Sequence, residues 1–206
     1  DHNTCNDVAV EVGVVQSGNQ CEFFEVVLDD DLVRKARLFL FQLSQIEHAS
    51  QSAQLAEKEG YDDEVILAAF FHDIGHICAK KDPKNDMGGY GMMRHERVGA
   101  NYLRRKGFSE KIAKLMENHV EAKRYLCFKH PEYYEKLSVA SKATLEFQGG
   151  RMTKEEAEKF ENDPLFSLSI KMREWDETAK EENVPVLDLS FLKEKAKKHL
   201  EEVSSH

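Results

Sequence analysis

With 206 residues, 41% of them apolar and 33% charged, the chain can bury a substantial core within one domain. Its formal charge of -9 argues against general nucleic-acid binding, and no run approaches the roughly 20 apolar residues that a membrane span needs. The four cysteines (Cys5, Cys21, Cys78, Cys127) show no CxxC spacing, which speaks against a cysteine-based zinc site. Cys5 and Cys21 could pair, whereas Cys78 and Cys127 read as reduced thiols and favour the cytoplasm.

Residues 1–30 carry Asn, Gly and Ser among short β-branched pieces and read as a short irregular arm, loosely ordered. From about Asp31 the period becomes helical: Leu32, Ala36, Phe39, Leu40, Leu43 and Ile46 form a stripe that leads to His48. That helix is expected to stop at Gly60, with Asp62 capping the next one. The second helix is an unbroken apolar run, Val65 to Phe70, that enters the cluster Phe71-His72-Asp73-Ile74-Gly75-His76. Read as one continuous helix, this cluster sets His72 and Asp73 about 100° apart and His76 one turn from His72 on the same face.

Residues 80–91 read as a loop whose three glycines around Tyr90 suggest tight backbone packing at a site mouth. His95 opens a helix up to Gly107, and the helix after Ser109 carries Ile112, Leu115 and Met116 to His119, with Lys123 one turn on. One helix is expected from Pro131 through Leu137, Ala140, Ser141 and Thr144 to the break at Gly149-Gly150. Thr153 with Glu156 makes a capping box. A helix from Phe166 to about Ala179 carries Arg173 and Asp176 on one face, and a last charged helix runs from about Asp188 to Glu202. The fold class is therefore all-α, a helical bundle over residues 31–206.

His48, His72, Asp73, His95, His119 and Asp176 lie at the ends or starts of apolar helices, where imidazoles and carboxylates are costly to bury unpaired. Four imidazoles and two carboxylates suit two first-row metals, with one aspartate able to bridge them. Iron or manganese fits such a mixed N/O set; zinc is possible, but no thiolate supports it. His2, His130, His199 and His206 sit in polar stretches and read as solvated.

The pattern His48…His72-Asp73…Asp176 resembles the HD-domain superfamily, a helical fold that holds one or two metals, and His95 with His119 looks like its dinuclear branch. The stretches DMGGYG (Asp86 to Gly91), HERVGANYLR (His95 to Arg104), HVEAKRYL (His119 to Leu126), LEFQGG (Leu145 to Gly150) and REWDE (Arg173 to Glu177) are similar to a narrower group. These are the PhnZ-type oxygenases, mixed-valent di-iron enzymes that cleave the C–P bond of 1-hydroxyalkylphosphonates. The resemblance covers roughly residues 44 to 202. It implies one iron on His48, His72, Asp73 and Asp176, and a second on His95 and His119 with Asp73 bridging. It also implies dioxygen as co-substrate, products that are a carboxylate and phosphate, and catalytic roles for His76 and Lys123. Substrate contacts map onto His76, Lys123, Ser141, Thr144 and Arg173, and cationic and hydroxyl groups are what a phosphonate dianion requires.

One departure bears on the substrate. Some relatives place a tyrosine and an ammonium-binding glutamate before the first histidine, where this chain has Leu38 and Phe41. Phe39 and Phe41 are either core or the faces that meet a trimethylammonio group by cation–π contact. The expected partner is a small phosphonate, with no nucleic acid and no membrane, in a monomer or weak oligomer. Three rival readings compete: an HD-type phosphohydrolase acting on a small phosphoester, an inositol-oxygenase type enzyme, and a metal-stabilised binding module without turnover.

Overall fold

The computed structural model describes residues 45–78, 86–181 and 189–205. The expected N-terminal arm, the helical stripe from Asp31 to Leu43 and the substitutions at Leu38, Phe39 and Phe41 lie outside these residues, as do Cys5, Cys21, His2 and His206.

Among the described residues the regular structure is helical, with one isolated bridge between Asp86 and Met92. Helix α1 (Gln45–Lys58) ends before Gly60, whose φ of 80° allows the left-handed turn that lets Tyr61 bond back to Ala56. Asp62 then accepts from the Val65 amide and starts α2 (Asp63–Phe71). Every residue from Val65 to Phe71 is buried, so α2 is the central rod of the molecule.

The short α3 (Gly75–Cys78) follows, then α4 (His95–Arg105) and the long α5 (Glu110–Lys129), which Ser109 caps. Arg104 ties α4 to α5 through Glu110 and Glu117. Helices α1, α4 and α5 pack around α2 and α3, and α9 (Phe166–Thr178) closes the bundle against α1 and α5. Trp175 fixes α9 at the α1–α2 corner: its ring meets Tyr61 edge-on at 5.0 Å, and its indole N–H donates to Glu59 at 3.1 Å. That anchor sets the height of Asp176, the next residue.

Three expectations are corrected. The Pro131 helix is two helices, α6 (Pro131–Lys136) and α7 (Val139–Phe147), because the Ser138 hydroxyl accepts the Ser141 amide and restarts the chain as an N-cap. The apolar rod does not run on through His76. It stops at Phe71, and Ile74 and His76 bond back three residues, to Phe71 and Asp73. His199, on the last helix α10 (Leu189–Ser204), is buried rather than solvated; it stacks on Phe108 and accepts the Ser109 amide at 3.1 Å. Its neighbours in sequence are charged, but it faces the core side of an amphipathic helix. His130 is exposed, as expected. The Thr153–Glu156 capping box opens α8 (Lys154–Glu161) as its spacing predicts.

Candidate metal centre

The turn after α2 positions the site. Leaving the helix at His72 lets the chain fold α3 against the start of α4, and Gly75 makes the contact: a Cβ there would lie 1.8 Å from the His95 carbonyl oxygen. His72 therefore stays under α1 while Asp73 turns toward α4 and α5.

Four imidazoles converge with a common orientation. Nδ1 of His72, His95 and His119 each meets the carbonyl three residues earlier, of Ala69 at 2.8 Å, Met92 at 3.2 Å and Met116 at 2.6 Å. His48 Nδ1 meets the Ala179 carbonyl at 2.7 Å. A carbonyl only accepts, so each Nδ1 donates and each Nε2 of the neutral ring presents a lone pair. These Nε2 atoms meet in two pairs, His48 with His72 at 3.1 Å and His95 with His119 at 3.1 Å. Two facing lone pairs at that distance repel unless a cation lies between them. An edge of about 3 Å is also what metal–nitrogen bonds of about 2.1 Å produce at adjacent coordination positions.

Asp73 joins the pairs. Its Oδ2 is 3.6 Å from His72 Nε2, and its Oδ1 is 3.4 Å from His95 Nε2 and 3.7 Å from His119 Nε2. Asp176 serves the first pair alone, with Oδ1 3.2 Å from His48 and 3.8 Å from His72. Both carboxyls are held well below the usual carboxylate range. Burial opposes this, but the surrounding histidines at Asp73, and Arg173 with His48 at Asp176, outweigh it. Burial pushes His119 down to about 3, so its lone pair is free of a proton, whereas His48 and His95 are raised, against burial, by the carboxylates of Asp176 and Asp73 beside them. Ligand atoms of His48, His72 and Asp73 cluster closely enough to hold a cation, as do those of Asp73, His76 and His95. His119 lies against His95 and Asp73, and Asp176 against His48, so the set suits two cations in a mixed N/O environment, with the carbonyls behind the rings as outer partners.

His76 does not share the face of His72. Its ring stacks on His95 at a centroid distance of 3.9 Å, and its Nδ1 accepts the Met92 amide at 3.2 Å. The neutral ring thus carries its proton on Nε2, opposite to the four convergent imidazoles, and Nε2 lies 4.0 Å from Asp73 Oδ1. His76 is a donor at the rim. Gly91, with φ of 114°, brings the loop against it, a close approach in line with the glycine pattern of the sequence.

On the other side Lys123, almost fully buried, donates to Thr144 Oγ1 at 2.8 Å and Gln148 Oε1 at 2.9 Å. Burial and the nearby Arg173 charge lower its pKa to about 7. Ser141 lies one turn before Thr144, whose hydroxyl donates to the Ser141 carbonyl at 3.2 Å. Arg173 is more engaged than a residue reserved for substrate. Nη1 donates to Asp176 Oδ2, Nη2 to Glu177 at 2.6 Å, and Nε to the Tyr133 hydroxyl at 2.9 Å. Two of its five N–H groups remain beyond those three bonds.

Gln148, Tyr133 and Glu177 were missed by sequence reasoning. Glu177 is four residues from Arg173, a spacing that makes helical ion pairs. Gln148 and Tyr133 carry no local signal that names their partners.

The HD domain family model matches residues 45–164. An uncharacterized protein of Acanthamoeba polyphaga mimivirus, L432, is 47% identical over 137 residues, 66% of this chain and 63% of that protein. The chain thus spans less than two thirds of that relative. A hydroxymethylphosphonate dioxygenase of Gimesia maris is 37% identical over 147 residues, 71% of this chain and 73% of its own length. A [1-hydroxy-2-(trimethylamino)ethyl]phosphonate dioxygenase (glycine-betaine-forming) of Leisingera caerulea is 34% identical over 187 residues, 86% and 89% of the two chains.

Proposed function

The chain belongs to the HD-domain family, and on that premise we propose that it is an oxygen-dependent dioxygenase that cleaves the C–P bond of a small 1-hydroxyphosphonate. The observation that carries this reading is the pair of histidine dyads joined by Asp73, flanked by the cationic Lys123 and Arg173. We assign one metal to His48, His72, Asp73 and Asp176 and the other to His95, His119 and Asp73, and we take both as iron in a mixed-valent pair. When bound, that pair supplies Lewis acidity and the electrons for dioxygen chemistry.

The chain's own groups select and hold the substrate. Lys123 has donated two of its three N–H bonds to Thr144 and Gln148, so its third is fixed in direction for a phosphonate oxygen. The Ser141 and Thr144 hydroxyls extend that anion site, and Arg173 adds charge behind Asp176. His76 offers its Nε2–H at the rim beside Asp73. Dioxygen balances the reaction: the C–H and C–P bonds break, one oxygen atom joins carbon to give a carboxylate, and the other joins phosphorus to give phosphate.

The two named relatives differ at the far end of the substrate, one bearing no amine and the other a trimethylamino group. With Phe at position 41 instead of a carboxylate, we place the substrate among those two classes and not among primary ammonium compounds. The test is anaerobic iron loading, then oxygen with hydroxymethylphosphonate, its 2-trimethylammonio and 2-amino homologues, and a nucleoside monophosphate. Phosphate release matched by oxygen uptake, on a hydroxyphosphonate only, is the expected result. Phosphate release from the nucleotide without oxygen uptake would make the protein a phosphohydrolase.

A further inference from the structure

Three of the four convergent imidazoles, those of His48, His72 and His119, rest Nδ1 on a backbone carbonyl. His95 does so as well, but among the described residues it alone also faces a carboxylate there, with Glu96 Oε2 3.7 Å from its Nδ1. Glu96 is 9% exposed, and that Oε2 is buried with no hydrogen-bond partner. Its other oxygen, Oε1, lies 4.0 Å from the exposed Arg97. An orphaned carboxylate oxygen is costly. A helix N-terminus favours an acidic residue in its first turn, but a solvated carboxylate would serve that purpose equally.

The two histidine dyads also differ in anionic supply. The His48–His72 dyad has a carboxylate oxygen from Asp73 and one from Asp176, whereas the His95–His119 dyad has Asp73 Oδ1. We propose that Glu96 is a positioning residue for His95: it supports the Nδ1 side of the ring and lends the His95–His119 position the negative charge that its ligands lack. Negative charge behind a ligating imidazole makes the ring a stronger donor and restricts its rotation. This inference rests on the two-metal reading above.

The experiment is an anaerobic ferrous titration against a chromophoric chelator, with the electron paramagnetic resonance signal of the half-oxidised protein as second readout. It compares the parent protein with Glu96→Gln and Glu96→Asp. The expected result is that Gln weakens the second equivalent of iron by about ten- to a hundredfold and alters the signal, while leaving the first equivalent unchanged. Asp keeps the charge and is expected to hold the second iron more tightly than Gln does. A packing role would reverse that order, since Gln keeps the shape, and would overturn the proposal. So would a Gln variant that matches the parent in both affinity and signal, with the two-metal reading left intact. A parent that binds fewer than two irons would overturn that reading and this inference with it.

Discussion

Replacing Gly75 by alanine tests whether the turn after α2 builds the second metal position. The new Cβ would lie 1.8 Å from the His95 carbonyl oxygen, 2.5 Å from its carbon and 2.9 Å from its Cα. All three are backbone atoms of the residue that opens α4, so no rotamer change relieves the contact. Nearby, a Cβ on Gly99 would come within 3.0 Å of the Gly75 amide nitrogen, which shows how closely the two segments touch. Reaching even a tight 3.0 Å approach separates them by about 1.2 Å, and a shift of about 1 Å at a reacting centre costs about a hundredfold in rate. His95 would move off His119 and Asp73, now 3.1 and 3.4 Å away, while His48, His72 and Asp176 keep their places. Overpacking of this kind also costs about 1–3 kcal/mol. The assays are iron stoichiometry after anaerobic loading, kcat/KM, and thermal unfolding. We expect one iron per chain and a fall in kcat/KM of at least about a hundredfold. Gly60→Ala is the control: its Cβ meets open space, and only its φ of 80° is strained, so it loses about 1 kcal/mol and keeps both metals. A Gly75→Ala protein that binds two irons with parental affinity would refute the reasoning.

Asp73→Ala removes the oxygen atoms facing both dyads, and elemental analysis is expected to find both metals lost. Arg173→Ala, harmless to metal if this arginine only contacted substrate, instead strips Asp176 of its buried partner; we expect a loss of about 3 kcal/mol in denaturant unfolding and weaker iron at His48. Lys123, with its pKa lowered to about 7, loses its charge as pH rises through that value, so kcat/KM for a phosphonate is expected to decline above about pH 7, and Lys123→Met to flatten that limb. The same shift makes the folded state bind fewer protons than the unfolded chain between about pH 7 and the ordinary lysine value, so over that range this group adds stability as pH rises. His199, lowered mainly by burial, works on the acid side: below its ordinary value the unfolded chain takes up the proton first and stability falls, an effect that His199→Gln should remove in a pH series of melting curves.

Much of the candidate centre was legible from short-range signals, although His119 lies midway along α5 and not at a helix end as expected. His72 and Asp73 follow an apolar rod, His95 opens a helix, and His119 lies on the face that Ile112, Leu115 and Met116 define. Caps were legible too: Asp62, Ser109 and the Thr153–Glu156 box act where their spacing places them. The failures share a cause, tertiary contact overriding local period. The α2 rod breaks at His72 because Gly75 must meet α4, and nothing within the cluster itself reports on the His95 backbone. Ser138 split a helix that periodicity joined, since a serine between apolar residues reads equally as interior or cap. His199 looked solvated among lysines and glutamates, yet its partner Phe108 lies some ninety positions away in the chain. Arg173 was singled out for its charge, but its commitment to Asp176, Glu177 and Tyr133 depends on where α6 lands.

The anchoring of the rings has a consequence for which parts of the chain each histidine dyad depends on. Three of the histidines and the carbonyls that orient them are contained in four-residue stretches, Ala69 to His72, Met92 to His95 and Met116 to His119, and use only main-chain atoms. The side chains at 69, 92 and 116 can drift without misaiming a ligand. His48 is the exception, steadied by Ala179 across 131 positions, and Gln51 reinforces it by gripping the Glu181 backbone through both amide atoms. One half of the candidate centre therefore draws only on the segment between Asp73 and His119, whereas the other also needs the far end of α9. A nick near Ala179 is expected to loosen the half that contains His48 and leave the His95–His119 half intact.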